Sequence, residues 1–359
     1  MIPKSQIVNL PVYEPGKPID DVKRELGLEE VIKLASNENP FGCSPKVKEA
    51  IVSQLDNLPI YPDGACLELR AALASFLQVK PDELVFGNGS DEIVMLIARA
   101  YLQQGTNTVM AAPTFSVYKT NAVIEGAEAI EVPCIDGAHD LDGMLARVDE
   151  NTRVIWVCNP NNPTGKMIGE QELVRFLDRV PSHVLVVLDE AYAEYVKSDA
   201  FPNSIRLLES YDNLIILRTF SKIYGIAALR VGYGIAKANV IDKLDRVREP
   251  FNVNLLAQKA ALAALSDQKF VEECKRANAE GLQQVYAGLD EMGVSYYRSE
   301  TNFVFLMPER NTREIFNEML QLGVIVRAFP GAVRITIGSR QQNETMLEAL
   351  RQVLVPARQ

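Results

Sequence analysis

The chain has 359 residues, 47% of them hydrophobic and 23% charged, with a formal net charge of -10. That length supports a large core and is compatible with two domains, and the composition is that of an ordinary soluble globular protein. The acidic balance argues against general nucleic-acid binding, which needs a basic face, and leaves any anionic substrate to be met by local arginines.

In chain order, residues 1–39 read as an extended arm punctuated by Pro3, Pro11, Pro15 and Pro18, with a short amphipathic stretch from Asp20 to Leu28 and a strand-like VIKLA. The opening MIPKSQIVNLPVY lacks a long apolar core followed by a small-residue cleavage site, and no later run approaches membrane-spanning length. A cytoplasmic protein with no membrane contact is expected. SPKVKEAIVSQL and CLELRAALASFLQV have helical periodicity, with Ser44 placed to cap the first ahead of Pro45. ELVF reads as a strand, GNGSDE as a glycine turn and EIVMLIARAYL as a helix, and strands alternate with helices to about residue 237. A long helical stretch follows Asn254 and is placed to bridge two units. Beyond it VSYYRSETNFVFLMP, TREIFNEMLQLG, VIVRAFP, AVRITIG and a terminal helix form a mixed unit. No internal repeat or low-complexity segment interrupts this order. The expectation is an α/β protein. Residues 40–250 form a large domain with a mostly parallel sheet flanked by helices, and residues 1–39 and 251–359 form a smaller α/β domain.

Five cysteines form no CxxC pair and are odd in number, which reads as reduced thiols in a reducing compartment. The two histidines, His139 and His183, lie outside the motif-bearing loops, so a histidine triad or a zinc site is not expected; both read as surface or packing residues. The chemistry is carried instead by three apolar runs rich in Val, Ile and Leu: VIWVCNPNNPTG, VLVVLDEAYAEY and LIILRTFSK. Each has the length of a buried strand and is separated from the next by a segment of helical composition, the pattern of successive parallel strands. Right-handed crossovers point such strands the same way, so Asn162, Asp189, Tyr192 and Lys222 converge along one sheet edge. A lysine that can bond an aldehyde, a buried carboxylate that can pair with a ring nitrogen, and Asn and Tyr donors for a phenolic oxygen together suit pyridoxal 5'-phosphate.

The stretches NPNNPTG, LDEAY, TFSKIYGIAALRVGY and VRITIGSR, in this order, resemble those of the fold type I aminotransferases, and the resemblance runs over nearly the whole chain. LPVYEPGKPI, LASNENPFG and YPDG resemble the histidinol-phosphate aminotransferases among them. The resemblance implies a pyridoxal-phosphate enzyme with Lys222, Asp189 and Tyr192 as its catalytic set. It assigns the cofactor phosphate to Ser221, Arg230 and the helix start at Ser90 and Asp91, the ring face to Phe115, and the phenolic oxygen to Asn162 and Tyr192. On the substrate side it implies Arg334 for a carboxylate, Arg327 for the substrate phosphate, and Tyr13, Asn37, Tyr61 and Asn302 around them. Tyr13 and Tyr61 are expected to serve the partner subunit's site in a homodimer.

The activity implied is transamination of L-histidinol phosphate with 2-oxoglutarate in histidine biosynthesis, with no metal. An aromatic aminotransferase acting on phenylalanine or tyrosine is the alternative. A decarboxylase on the same scaffold is more distant, and an intact Lys222 with its partners speaks against a non-enzymatic binding protein. Only AFPGAV separates Arg327 from Arg334, shorter than many members of the subfamily, which bears on the shape of the substrate pocket.

Overall fold

The computed structural model describes residues 1–12 and 16–354. In chain order the strands are β1 (Ile32–Lys33), β2 (Leu84–Gly87), β3 (Asn107–Ala112), β4 (Glu128–Pro133), β5 (Thr152–Cys158), β6 (Leu185–Asp189), β7 (Leu214–Thr219), β8 (Gly232–Ala236), β9 (Ser295–Tyr297), β10 (Phe303–Met307), β11 (Val324–Ile325), β12 (Arg327–Phe329) and β13 (Ala332–Thr336). Seven of them form one sheet in the order β2-β8-β7-β6-β5-β3-β4. Strands β3 to β7 pair in parallel, and β8 runs antiparallel between β2 and β7. The link from β7 to β8 holds only the short 3-10 turn Ala227–Leu229, with no crossover helix, so β8 must return in the opposite direction.

The centre of this sheet is buried on both faces, which is why β5, β6 and β7 read as near-continuous aliphatic runs instead of alternating ones. Cys158 pairs in register with Asp189, and Asp189 with Leu217, so β5 and β6 end level and β7 runs two residues further. The loops that follow carry Asn162, Tyr192 and Lys222.

A second sheet has the order β12-β13-β10-β9, all antiparallel, while β1 pairs in parallel with β11. The arm is stitched to this unit by Leu34 N–H to Ile325 O and Thr336 N–H to Leu34 O, both 2.8 Å. The helical stretch after Asn254 is two helices, Leu255–Leu265 and Gln268–Met292. The break falls at Asp267, whose carboxylate caps the second helix through Phe270 N–H and also accepts the Ser44 hydroxyl. Ser44 caps its own helix by accepting from Lys46 N–H. Ala257, Ala261 and Cys274 bury into the core of the large sheet, whereas Leu282, Val285 and Leu289 bury with β10, β13 and the terminal helix Arg340–Leu354. One long helix therefore runs from one core into the other.

Candidate active site

A cavity of about 740 Å³ opens at the C-terminal ends of β5, β6 and β7, and Lys222, Asp189, Tyr192, Asn162, Phe115, Ser90, Asp91, Ser221, Arg230, Asn37, Arg327 and Arg334 all line it. Most of them meet there because strands of the large sheet deliver their ends to one edge, while Asn37, Arg327 and Arg334 come from the arm and the second sheet.

Lys222 sits just beyond β7. Its Nζ lies 3.5 Å from Ser36 O and 5.6 Å from the centre of the Tyr192 ring. Burial, reinforced by the positive Arg334 and Arg230, pulls its ammonium down to about 8. Asp189 closes β6 and is buried. Its Oδ2 accepts from Tyr118 Oη at 2.5 Å and its Oδ1 from Ala191 N–H at 3.2 Å. Burial pushes its carboxyl up to about 6 even with the Tyr118 hydrogen bond opposing. A buried carboxylate so destabilised calls for a cation. Tyr192 is buried with its hydroxyl accepting from Asn37 Nδ2 at 2.9 Å, and burial raises its phenol above the usual range.

The turn from β2 into the helix Ser90–Tyr101 leaves the first N–H groups of that helix at the cavity. Close approach is enforced by glycine: a Cβ at Gly232 would run into Ser90 N, and one at Gly89 into the Arg230 guanidinium. Arg230 itself donates from Nη1 to Ser221 Oγ at 3.2 Å and from Nη2 to Asp91 Oδ2 at 3.3 Å. Amide donors, a hydroxyl and a guanidinium thus meet at one end of the cavity, a donor set that suits a phosphate. Together with the carboxylate that needs a cation and the lysine held partly neutral, these residues fit pyridoxal phosphate.

The short spacing between Arg327 and Arg334 has a structural cause. β12 and β13 form a hairpin closed by Pro330 and Gly331 alone, with Gly331 at φ 72°, and Arg327 lies directly opposite Arg334. Arg334 is held by Asn162 Oδ1 at 2.6 Å and Ala35 O at 2.7 Å, and is flanked by the Phe303 and Phe329 rings at 5.3 and 5.8 Å.

Asn302 and Tyr61 do not line the cavity of their own chain, as expected for Tyr61 if it serves the partner subunit's site. Asn302 is buried behind Asn37, donating from Nδ2 to Asn37 O at 3.0 Å, so it braces the cavity wall and does not face in. Tyr61 is 80% exposed and stacks on Phe251 at 4.9 Å, outside its own chain's cavity. Tyr13 lies outside the described residues. His139 is a packing residue whose burial pulls it down to about 4, and His183 is exposed.

Sequence reading missed Tyr118, and also Asn121, Met95 and Cys158 on the cavity wall. Tyr118 was signalled only by its place three residues after Phe115 in a helix start. Thr336, which donates to Asn37 Oδ1 at 3.1 Å, carried no signal.

The family model for aminotransferase class I and II matches residues 29–350. A histidinol-phosphate aminotransferase of Brevibacillus brevis is 57% identical, covering 99% of this chain and 100% of the relative. One from a Geobacillus species is 56% identical, covering 98% of each. Among solved structures, the histidinol-phosphate aminotransferase of Sinorhizobium meliloti in complex with pyridoxal-5'-phosphate is 29% identical with a TM-score of 0.90, covering 98% of this chain and 96% of that one. The chain therefore belongs to the class I and II aminotransferases, of fold type I, and within them to the histidinol-phosphate aminotransferases.

Proposed function

We propose that the protein transfers the amino group of L-histidinol phosphate to 2-oxoglutarate, giving imidazole acetol phosphate and L-glutamate, with Lys222, Asp189 and Tyr192 as its catalytic residues. The observation that carries the substrate end is the Arg327–Arg334 pair on one hairpin at the Lys222 cavity. Two guanidiniums at one cavity offer forked donors of the geometry that carboxylate and phosphate groups take. Arg334 is the ligand for the carboxylate of glutamate or 2-oxoglutarate, and Arg327 the one that adds the substrate phosphate.

Pyridoxal phosphate, when bound, supplies an aldehyde carbon that takes up amino groups and a ring that withdraws electrons from the substrate Cα. Ser90 and Asp91 N–H groups, Ser221 and Arg230 would hold its phosphate. Phe115 would cover a ring face. Asp189 would hold a proton on the ring nitrogen, and Asn162 and Tyr192 would donate to the phenolic oxygen. Lys222 Nζ, at the cavity, would be the base that takes the proton from the substrate Cα; an ammonium held near 8 leaves part of the amine neutral at cellular pH.

A homodimer with shared sites fits the same picture. Tyr61 and Phe251 leave a stacked aromatic pair exposed, beside exposed Leu58 and Ile60, an apolar surface of the kind a partner subunit covers. A cytoplasmic setting agrees with five free cysteines and with the absence, among the described residues, of a helix long and apolar enough to cross a membrane.

The test is a set of parallel steady-state assays with histidinol phosphate, phenylalanine and tyrosine as donors. Histidinol phosphate should have the highest kcat/KM, and Arg327→Gln should lower it for that donor far more than for phenylalanine. A wild-type preference for phenylalanine or tyrosine would replace this reading with the aromatic one.

A further inference from the structure

Asp189 is held by a group that neither the cofactor motifs nor the substrate contacts account for. Tyr118, on the helix Val117–Ile124, is fully buried, and its hydroxyl meets Asp189 Oδ2 at 2.5 Å. The ring has no latitude to turn away. It stacks on Trp156 with centroids 4.8 Å apart and planes 9° from parallel, and meets the edge of Phe115 at 5.5 Å. Trp156 is fixed in turn by its Nε1, which donates to Thr108 Oγ1 at 2.8 Å, and Thr108 donates to Val154 O at 2.7 Å. A continuous chain of contacts runs from the backbone of β5 to one oxygen of the Asp189 carboxylate.

We propose that Tyr118 is a positioning residue: its hydroxyl, donating to Oδ2, keeps the Asp189 carboxylate anionic and oriented, so that the shared proton resides on the ring nitrogen of pyridoxal phosphate. This rests on the role given to Asp189 above. A carboxylate and a pyridine nitrogen share one proton, and its location follows their relative basicity in the site. A donor on the carboxylate lowers the carboxylate's basicity and sends the proton to the ring; an unassisted buried carboxylate draws it back. The groups around Asp189 leave this task to Tyr118. Asp91, from the helix Ser90–Tyr101, and the neighbouring Glu190 oppose an anion there, as burial does. Cys158 on β5 and Tyr192 are weak acids held protonated by burial. Ala191 N–H helps, at the longer distance of 3.2 Å. Burial and the Asp189 charge keep the Tyr118 phenol protonated, so toward the carboxylate it donates.

The test reads the proton and not turnover. Ring-15N pyridoxal phosphate is bound to the wild-type protein, to Tyr118→Phe and to Asp189→Asn, and the nitrogen resonance is followed against pH; protonated and neutral pyridine nitrogens are well separated. Wild type should show the protonated ring and Asp189→Asn the neutral one. A hydrogen bond to a charged group corresponds to about one to two pH units in the basicity of Asp189. Tyr118→Phe should therefore move the resonance from the wild-type position toward neutral, and adding it to Asp189→Asn should move nothing further. Should Tyr118→Phe fold poorly, 3-fluorotyrosine at position 118 is a stronger donor of almost the same shape and should hold the protonated resonance to higher pH than wild type does. An unchanged resonance in both variants overturns the proposal, as does an equal displacement in the Asp189→Asn background, which would mark a packing effect. A neutral ring nitrogen in the wild type would instead remove Asp189 from its role, and Tyr118 with it.

Discussion

Gly89, compared with Gly105, separates an effect on cofactor binding from one on folding. It precedes the helix Ser90–Tyr101 at φ 82°, where a side chain is strained, and an added Cβ would press into the Arg230 guanidinium. Forcing alanine into such backbone costs about 1–3 kcal/mol of stability. The collision adds a second, local effect, because Arg230 must leave the position from which it reaches Ser221. The pair it makes with Asp91 is exposed and contributes little. If Arg230 holds the cofactor phosphate as proposed, what is lost is a charge-assisted hydrogen bond to it, about 1.5–3 kcal/mol, equivalent to roughly a tenfold to hundredfold rise in the cofactor Kd. Trp156, the single tryptophan, is buried against Tyr118 and offers an emission signal for that titration. Gly105 supplies the control: its φ is 86°, but a Cβ there meets nothing within 4 Å. Gly105→Ala should lower the melting temperature and leave the cofactor Kd unchanged, whereas Gly89→Ala should change both. Equal cofactor affinity in the two variants would refute the placement of Arg230 at the phosphate.

Three further outcomes are expected. Because burial lowers the Lys222 ammonium to about 8 from an ordinary 10.5, the unfolded chain binds the extra proton between those values, and the cofactor-free protein should gain on the order of a few kcal/mol as pH rises through that window; Lys222→Met should remove this increment in denaturation series. Asp189 is raised to about 6 from 3.8, so stability is lost as pH rises between those values; Asp189→Asn should make the cofactor-free protein about 2–3 kcal/mol more stable at pH 7 while abolishing most turnover. If Tyr61 serves the partner's site, mixing Tyr61→Phe and Lys222→Ala subunits should restore activity toward half of wild type per heterodimer, and no recovery despite demonstrated exchange would return Tyr61 to its own subunit.

The strand-end residues were legible because their signal is local: an aliphatic run buried on both faces, then a polar residue that such a run cannot bury without a partner. Asp189 and Lys222 announce themselves this way. The direction of β8 was not legible from its own Gly232–Ala236 segment, since strand direction depends on whether the connection before it holds a crossover helix. The break at Asp267 was hidden because its cap is completed by Ser44, more than two hundred residues away. The contact Asn302 makes was hidden for a related reason. Its position at the start of β10 places it close to the site, but which way it faces depends on Asn37, a residue from the other end of the chain.

Asn37 and Arg230 share a property that ties these observations together. Both line the cavity and both hold a positive φ, 56° and 57°, which most side chains resist, asparagine less than arginine. Such backbone persists only where neighbours over-determine it. Around Asn37 the N–H reaches Thr336 Oγ1, the side-chain oxygen accepts from the same hydroxyl, the amide reaches Tyr192, and the carbonyl accepts from Asn302. These contacts bind the arm, β13, the loop after β6 and the start of β10 into one knot. The Tyr192 hydroxyl is thereby set by residues from both ends of the chain, so under the role proposed for Tyr192 the arm would help orient the cofactor oxygen. Relaxing Asn37 to glycine would remove the strain and, with the amide gone, the restraint on Tyr192; the strain is maintained because the geometry it enforces is the one the chemistry uses.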